Sequence, residues 1–247
     1  MKVLLFLYQW CIAMPILLVL TILTALVTMI GCRLGNGDFW GYYPGKLWSR
    51  AFCRLSLCPV TVEGRENIDK NTSYVFVANH QGAYDIFLIY GFLGHNFKWM
   101  MKQGLRRMPL VGRACADAGH IFVDDNGSRG VRTSIMQAEQ TLRGGMSLVV
   151  FPEGSRTLDG HIHRFKRGAF QLADDIGLPV VPLTIEGPFK IMKRGTLMLH
   201  PHRLRLTIHK PIAVNAGAEG EAERLRKAAF EVIATSLGET GPVTAAK

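Results

Sequence analysis

Paired cysteines and abundant charge are what this sequence lacks. Its 247 residues include five cysteines, an odd number, and they form no Cys-x-x-Cys pair. This pattern argues against a disulfide framework and against a zinc site of the usual spacing, so we expect buried, unreactive thiols and no metal. Charged residues make up 19% of the chain, which is low for a soluble protein. The sequence has neither an internal repeat nor a long linker.

The charge that is present is mostly positive. Lysine and arginine total 29 against 19 aspartates and glutamates, for a net charge of +10. Such an excess favours anionic partners, namely nucleic acid, an anionic membrane face or a phosphorylated substrate. Neither a recognition-helix motif nor an aromatic platform for single strands is visible, so nucleic acid is not an expected partner.

The apolar residues concentrate at the N-terminus. Residues 3–31 contain no charged side chain, which exceeds the ~20 residues needed to cross a bilayer. Gln9 and Pro15 interrupt the run, so the best spanning segment is 12–31, with a broken or re-entrant helix pair as the alternative. A secretory signal is a further alternative, and "MIGC" (29–32) resembles a lipoprotein cleavage site, although the run is long for a signal peptide.

The residues around the apolar run predict its orientation. Lys2 precedes it, and four cations follow it: Arg33, Lys46, Arg50 and Arg54. The positive-inside rule then places the following domain on the cytoplasmic side of an inner membrane. Residues 46–58 alternate apolar and basic positions at helical spacing, which fits a helix in the headgroup plane or a core-packing helix. We therefore expect a membrane anchor and interfacial segment over 1–58 and one domain over 59–247.

The second part of the chain alternates strand-like and helical patterns. We predict strands at 73–79, 120–125, 146–154, 179–187 and 203–212, and helices at 85–93, 129–145, 168–177 and 219–237. This alternation predicts an α/β domain, with a mixed sheet flanked by helices. Ligands of open α/β sheets bind beyond the carboxyl ends of the strands.

An ionisable pair follows the first of these strands. In "NHQGAYD" (79–85), His80 and Asp85 are five residues apart, so a continuous helix would place them on different faces. They can meet if the intervening residues turn, which Gly82 permits. Asp85 would then orient the imidazole, and the other ring nitrogen would be free to act as a general base. A core histidine bonded to a local carboxylate is the structural alternative.

A second polar cluster follows the strand at 146–154. In "FPEGSRT" (151–157), Gly154 lets the backbone approach a ligand, and Arg156 offers a planar fork that matches phosphate oxygens. Ser155 has no evident base and is not predicted to be a nucleophile. Lys166 and Arg167 add two cations just downstream. The cluster fits a phosphate-binding loop, and a surface turn with a salt bridge is the alternative.

The two clusters together resemble the glycerolipid acyltransferases. "NHQGAYD" is similar to the family's H-x4-D motif, and "FPEGSRT" matches its third motif almost letter for letter. Between them, "KQGLRRMPLVG" (102–112) is similar to K-x-E-L-x-x-x-P-x-x-G, and "VPLTIEG" (181–187) resembles the fourth motif. The resemblance covers about residues 70–190. It implies transfer of a fatty acyl group from acyl-CoA or acyl-carrier protein to the sn-2 hydroxyl of lysophosphatidic acid, giving phosphatidic acid.

The resemblance also implies roles for individual residues. His80 would be the general base and Asp85 its partner, with no covalent intermediate and no cofactor beyond the acyl thioester. The implied substrate-binding residues are Lys102, Arg129, Glu153, Gly154, Arg156 and Lys166. The implied partners are the lysophospholipid, the acyl donor and the bilayer, with an acyl-carrier protein as one of the two possible donors.

Two positions depart from the family pattern. Gly104 replaces the glutamate of K-x-E-L, and in "GHIFVDD" (119–125) Asp125 stands where the family has arginine. A carboxylate there would repel a phosphate, which makes Arg129 the candidate replacement. Asp125 therefore keeps open an acceptor other than lysophosphatidic acid, such as another lysolipid or an amino-lipid. A weakly active membrane lipid-binding homologue is the remaining alternative.

Overall fold

A seven-stranded sheet forms the centre of the fold. The computed structural model describes residues 2–123, 128–192 and 199–239. In this part of the chain the strands lie in the order β1-β7-β6-β2-β5-β3-β4. Their bounds are β1 (Val60–Glu63), β2 (Val75–Ala78), β3 (Phe97–Lys102), β4 (Ile121–Val123), β5 (Ser147–Val150), β6 (Val180–Glu186) and β7 (Leu204–Ile208).

The strand directions make this a mixed sheet. β2 pairs in parallel with β5 and β6, and β3 pairs in parallel with β5 and β4. β7 runs antiparallel to β6, and β1 is parallel to β7. The predicted α/β fold with a mixed sheet is therefore confirmed. The carboxyl ends of β2 to β6 meet at one edge, where ligands of such sheets bind.

Helices cover both faces of the sheet. The helices are α1 (Lys2–Tyr8), α2 (Met14–Leu34), α3 (Gly37–Trp40), α4 (Tyr43–Leu55), α5 (Tyr84–Phe92), α6 (Val111–Asp117), α7 (Ser128–Arg143), α8 (Gly168–Ile176), α9 (Pro188–Ile191) and α10 (Glu221–Leu237). Successive strand side chains point to opposite faces. Phe76 of β2 thus packs in one core with Leu88 of α5, and Val77 packs in a second core with Phe170 of α8 and Leu225 of α10.

All five predicted strands and all four predicted helices occur, with shifted ends, but other elements were not predicted. Among these are β1, β3 and α6. In β3 the apolar pattern of "FKWMMK" is interrupted by Lys98, which is nevertheless buried. Its Nζ lies 3.1 Å from Asp38 Oδ1. A partner 60 residues away in the chain thus permits the burial of a lysine, and a local pattern does not contain that information.

The apolar N-terminal run is one helix rather than a broken pair. α1 continues through a π-helical turn, Gln9–Ala13, into α2, and the Met14 N–H bonds to the Gln9 carbonyl. This wider turn directly precedes Pro15, which has no N–H to donate, so the helix passes the proline. Residues Val3–Leu34 are long and apolar enough to cross a membrane by length and composition.

The long N-terminal helix is held against the rest of the chain along its length. The Gln9 side chain donates to the Leu199 carbonyl at 2.7 Å, and Trp48 Nε1 donates to Thr21 at 2.8 Å. Near the end of α2, Arg33 lies 3.0 Å from Asp117 of α6. The predicted interfacial helix at 46–58 corresponds to α4, which packs against both α2 and α5. The predicted division at residue 58 stays a prediction.

Candidate active site

The structure brings His80 and Asp85 together at the carboxyl end of β2. His80 follows the strand by two residues, and Asp85 lies in the first turn of α5. Because the segment between them turns, His80 Nδ1 lies 2.6 Å from Asp85 Oδ2. The same carboxylate oxygen accepts the Gly82 N–H at 2.9 Å. With Nδ1 bonded to Asp85, Nε2 is the ring nitrogen left to exchange a proton.

Gly82 also allows the turn to pack closely on the start of α9, which follows β6. A Cβ built at this position would lie 3.2 Å from the Pro188 carbonyl oxygen, closer than most real Cβ contacts. Asn79, which lies between β2 and His80, bonds to β6: its side-chain amide donates to the Ile185 carbonyl and accepts the Ile185 N–H. The position of His80 therefore depends on contacts between β2 and β6.

Burial dominates the electrostatics of Asp85. The side chain is fully buried, and this desolvation raises its pKa, while the hydrogen bonds from His80 and Gly82 act in the opposite direction. Its place in the first turn of α5 adds the favourable field of the helix N-terminus. The carboxyl is thus positioned to orient the imidazole and to balance a positive charge on it.

The loop after β5 forms hydrogen bonds with the backbone of His80. Glu153 Oε1 accepts the His80 N–H at 2.7 Å, and the His80 carbonyl accepts the Thr157 N–H at 2.9 Å. The other Glu153 oxygen accepts the His163 N–H at 3.0 Å. Burial raises the pKa of Glu153 to about 8. Glu153 therefore shapes the site through two backbone groups.

An aromatic ring fixes the imidazole plane. The Phe151 ring stacks on His80 with centroids 4.0 Å apart and an interplanar angle of 12°. Trp99 of β3 stacks behind Phe151 at 5.7 Å. The catalytic histidine predicted from sequence is thus held at its backbone, at Nδ1 and on its ring face. Such restraint is typical of a residue that must present one atom in a defined direction.

Three predicted substrate-binding cations lie at this edge of the sheet. Lys102 is exposed at the end of β3, and Arg156 and Lys166 are exposed on the loop after β5. Gly154 has φ +77°, and a Cβ there would lie 2.7 Å from Lys166 Nζ. A residue with a side chain would therefore displace the Lys166 amine.

Two sequence predictions lie outside the described residues. Asp125 falls in the undescribed segment after β4, and the side chain of Arg129 is likewise not described, although its backbone begins α7. Its predicted role in phosphate binding stays a prediction. The register Lys102↔Val123 places the end of β4 beside the end of β3.

Comparison with known proteins decides the family. The acyltransferase family model matches residues 59–186, which is more than half of the 247-residue chain. The chain belongs to the acyltransferase family. His80, Asp85, Glu153 and Arg156 all lie inside the matched range.

Curated relatives and a solved structure agree with this placement. The chloroplastic 1-acyl-sn-glycerol-3-phosphate acyltransferase of Arabidopsis thaliana is 35% identical over 176 residues, which is 69% of this chain and 48% of the relative. The 1-acyl-sn-glycerol-3-phosphate acyltransferase of Helicobacter pylori is 29% identical over 157 residues, which is 63% of this chain and 66% of that one. This chain spans about half the length of the chloroplastic relatives from Arabidopsis thaliana and Brassica napus.

The structural match extends beyond the family range. The crystal structure of the 1-acyl-sn-glycerophosphate acyltransferase PlsC from Thermotoga maritima matches with a TM-score of 0.79 and 28% identity, covering 96% of this chain and 94% of that chain. The acyltransferase fold of this protein, including its α/β sheet, is therefore shared with a solved structure.

Sequence reasoning missed several residues that build this acyltransferase site. It predicted no role in the site for Phe151, which it placed near the end of a strand, or for Asn79, which directly precedes His80. Thr157 is buried and its Oγ1 donates to Asp159 at 2.6 Å, while His163 Nε2 lies 3.1 Å from the same Asp159 oxygen. The family motif contains Thr157, so the motif was a usable signal for it. His163 lies beyond the motif and gave none.

Proposed function

We propose that this acyltransferase transfers a fatty acyl group from an acyl thioester to the sn-2 hydroxyl of 1-acyl-sn-glycerol 3-phosphate, giving phosphatidic acid. The observation that carries the proposal is the 2.6 Å contact of His80 Nδ1 with Asp85 Oδ2, at the sheet edge that also presents exposed cations. The substrate named for the matched relatives in plants, bacteria and Thermotoga supports the same acceptor.

The chemistry assigned to the dyad is general-base catalysis. His80 Nε2 accepts the proton of the acceptor hydroxyl as its oxygen attacks the thioester carbonyl. The C–O bond forms, the C–S bond breaks, and the proton passes from His80 to the departing thiolate. Asp85 stabilises the imidazolium that exists between these steps, as the carboxylate of a catalytic triad does. A positioned base of this kind contributes about 10²–10⁴-fold to rate.

The acceptor phosphate is assigned to the exposed cations. Arg156 offers two parallel donors to a phosphate, and Lys102 and Lys166 act as point charges. Glu153 and Gly154 support this group indirectly, since Glu153 bonds two backbone N–H groups and Gly154 leaves space for Lys166. Arg129 is proposed as a fourth contact that offsets the charge of Asp125.

The N-terminal helix is assigned to the bilayer. Val3–Leu34 meets the length and hydropathy of a spanning helix, and apolar side chains such as Leu4, Leu18 and Ile30 are exposed on it. The cations that follow the apolar run support a catalytic domain on the cytoplasmic side of the inner membrane. Lysolipid and long acyl chains partition into the same lipid phase, so this attachment brings the enzyme to its substrates.

The deciding experiment is acyl transfer by the full chain in detergent. Palmitoyl-CoA and palmitoyl-acyl-carrier protein would be offered as donors; lysophosphatidic acid, glycerol 3-phosphate, lysophosphatidylethanolamine and a lyso-aminolipid would be the acceptors. We expect conversion of lysophosphatidic acid that is lost in His80→Ala. The donor comparison selects CoA or the carrier protein, and no other cofactor is proposed.

Asp125 supports one second candidate, acylation of a different lysolipid or an amino-lipid. A carboxylate in the place of the family arginine would favour an acceptor that carries an amine near the phosphate. Preference for lysophosphatidylethanolamine or the lyso-aminolipid over lysophosphatidic acid, again dependent on His80, would select this candidate.

A further inference from the structure

A surface loop between β3 and α6 presents apolar side chains to solvent. The loop, residues 103–110 ("QGLRRMPL"), is here called the basic-apolar loop. Leu105, Met108 and Leu110 are 40%, 46% and 42% exposed. Loops that face water usually carry small polar residues at such positions, so three large exposed apolar side chains within six residues indicate a contact surface.

The basic-apolar loop is ordered, and its backbone directs these side chains outward. The Met108 N–H bonds the Leu105 carbonyl at 3.1 Å, and the Gly112 N–H bonds the Met108 carbonyl at 2.9 Å. Gly112 is pressed against the turn, since a Cβ there would lie 2.3 Å from the Arg106 carbonyl oxygen. Leu110 is held at φ +59°, a conformation that a leucine rarely adopts. The backbone hydrogen bonds and the close packing of Gly112 therefore hold the turn in a conformation that exposes these apolar side chains.

Positive charge alternates with these apolar residues. Arg106 and Arg107 lie between Leu105 and Met108 and are both exposed. The sequence from 102 to 116 contains no acidic residue, so acidic neighbours within this segment do not neutralise the arginines. Large apolar side chains combined with cations are the composition of segments that lie in the interface of an anionic bilayer.

The loop is also continuous with the apolar N-terminal helix and with the site. It leads directly into α6, which packs on α2, and Asp117 at the end of α6 pairs with Arg33 of α2. On its other side the loop begins one residue after Lys102, which ends β3 at the catalytic edge of the sheet. A surface that bound the loop would therefore lie beside both the apolar helix and the site.

We propose that the basic-apolar loop is a second membrane-contact surface, which docks on an anionic lipid bilayer. Leu105, Met108 and Leu110 enter the apolar boundary, and Arg106 and Arg107 bind anionic headgroups. An acidic protein would satisfy the arginines, but the three exposed apolar side chains and the continuity with the apolar helix α2 favour lipid. The docked loop holds the catalytic edge at the lipid surface, so that a lysolipid need not leave the bilayer fully.

The primary test is photo-crosslinking of the full chain in vesicles. Phosphatidylcholine vesicles with or without phosphatidylglycerol would carry a trace lipid with a diazirine in its acyl chain, and crosslinked peptides would be found by mass spectrometry. We expect crosslinks within 103–110 that increase with anionic lipid. Met136 on α7, which is 61% exposed, should remain at background. Crosslinks confined to residues 3–34 would overturn the proposal.

Two pairs of variants separate lipid docking of the loop from a general loss of membrane binding. Leu105→Ser with Met108→Ser, and Arg106→Ala with Arg107→Ala, should each lower the crosslink yield at the loop severalfold. Two control variants change comparable side chains elsewhere on the surface: Met136→Ser removes an exposed apolar side chain, and Lys210→Ala with Lys227→Ala removes positive charge. Neither control should lower the crosslink yield at the loop.

Turnover gives an independent readout that also depends on the proposed function. The arginine variant should be slower than the unmodified chain on anionic vesicles and equal to it in neutral detergent micelles. An equal loss in micelles would place the arginines in the catalytic pocket, and a loss only with acyl-carrier protein would make the loop a protein-docking surface. Either result overturns the proposal. Absence of all turnover would refute the proposed function, while the crosslinks would still report on the loop.

Discussion

Glu153 accepts the backbone N–H of His80 at 2.7 Å, across 73 residues of chain. Its second oxygen accepts the N–H of His163, so one buried carboxyl in the loop after β5 bonds both to the turn that follows β2 and to a later part of its own loop. This arrangement gives the glutamate of the "FPEGSRT" stretch a role that needs no contact with substrate. Glu153 holds His80 in place through its backbone. Because Glu153 is buried, its pKa is raised and its protonation state changes with pH.

Glu153 is expected to make the stability of the fold depend on pH. Burial raises its pKa from 4.5 to about 8, so between these values the folded state binds more protons than the unfolded state. The contribution of Glu153 to the free energy of unfolding is therefore fully present below about pH 4.5. It is lost, by an amount on the order of a few kcal/mol, as pH rises toward 8. Thermal melting in detergent from pH 5 to 8 would measure this slope.

Glu153→Gln cannot titrate and should flatten that slope. Glu66→Gln, which changes an exposed carboxyl, should keep it. If the two variants melt with the same pH dependence as the unmodified chain, the titration of Glu153 does not contribute to stability.

The dyad is expected to act on turnover rather than on binding. His80→Ala should lower kcat by at least about 10²-fold, because the base is lost. Asp85→Asn keeps the shape of the side chain but cannot balance an imidazolium, so it should also lower kcat with little change in acceptor KM. His161→Ala removes an exposed histidine from the loop after β5 and should leave kcat unchanged. Near-full turnover by a well-folded His80→Ala would exclude the general-base role.

The dyad shows what the sequence could predict. The H-x4-D spacing and the strand before it predicted both partners and their place at the sheet edge, because a strand end and a glycine turn are local features. Phe151 stacks on His80 from the loop after β5, 71 positions later in the chain, and Asn79 bonds Ile185 of β6 across 106 residues. Contacts of this range depend on how strands are ordered in the sheet, which a single sequence pattern does not specify.

β3 illustrates the same limit for secondary structure. Its buried Lys98 breaks the apolar pattern, and the ion pair with Asp38 that permits the burial is tertiary. The N-terminal helix shows the reverse case, since Gln9 and Pro15 left a broken helix pair open as an alternative, and the π-helical turn at Gln9–Ala13 avoids that break. The length and composition of that run were sufficient to predict a helix, whereas its local irregularities were not.

Arg156 is expected to bind the phosphate of the acceptor. Arg156→Ala should raise acceptor KM about 10–100-fold, the loss of a charge-assisted hydrogen bond, with kcat changed less. Arg164→Ala removes an exposed arginine from the same loop and should have little effect. A monoacylglycerol acceptor has no phosphate, so its KM should be the same for both variants. An unchanged KM for lysophosphatidic acid in Arg156→Ala would remove this residue from the phosphate site.

The Phe151 ring is expected to contribute to catalysis by fixing the plane of the His80 imidazole. Phe151→Leu fills a similar volume without a ring face, so kcat should fall about 2–10-fold, the range of an aromatic pair, while Phe151→Tyr should retain the rate. Phe230→Leu removes an aromatic contact with Phe165 in the opposite core and serves as the control for general loosening. Steady-state kinetics and melting temperatures would be measured for all three. If Phe151→Leu and Phe230→Leu lower kcat equally, the stack has no special role and the rate follows stability alone; a loss confined to Phe151→Leu, with acceptor KM unchanged, assigns the ring to the orientation of the base.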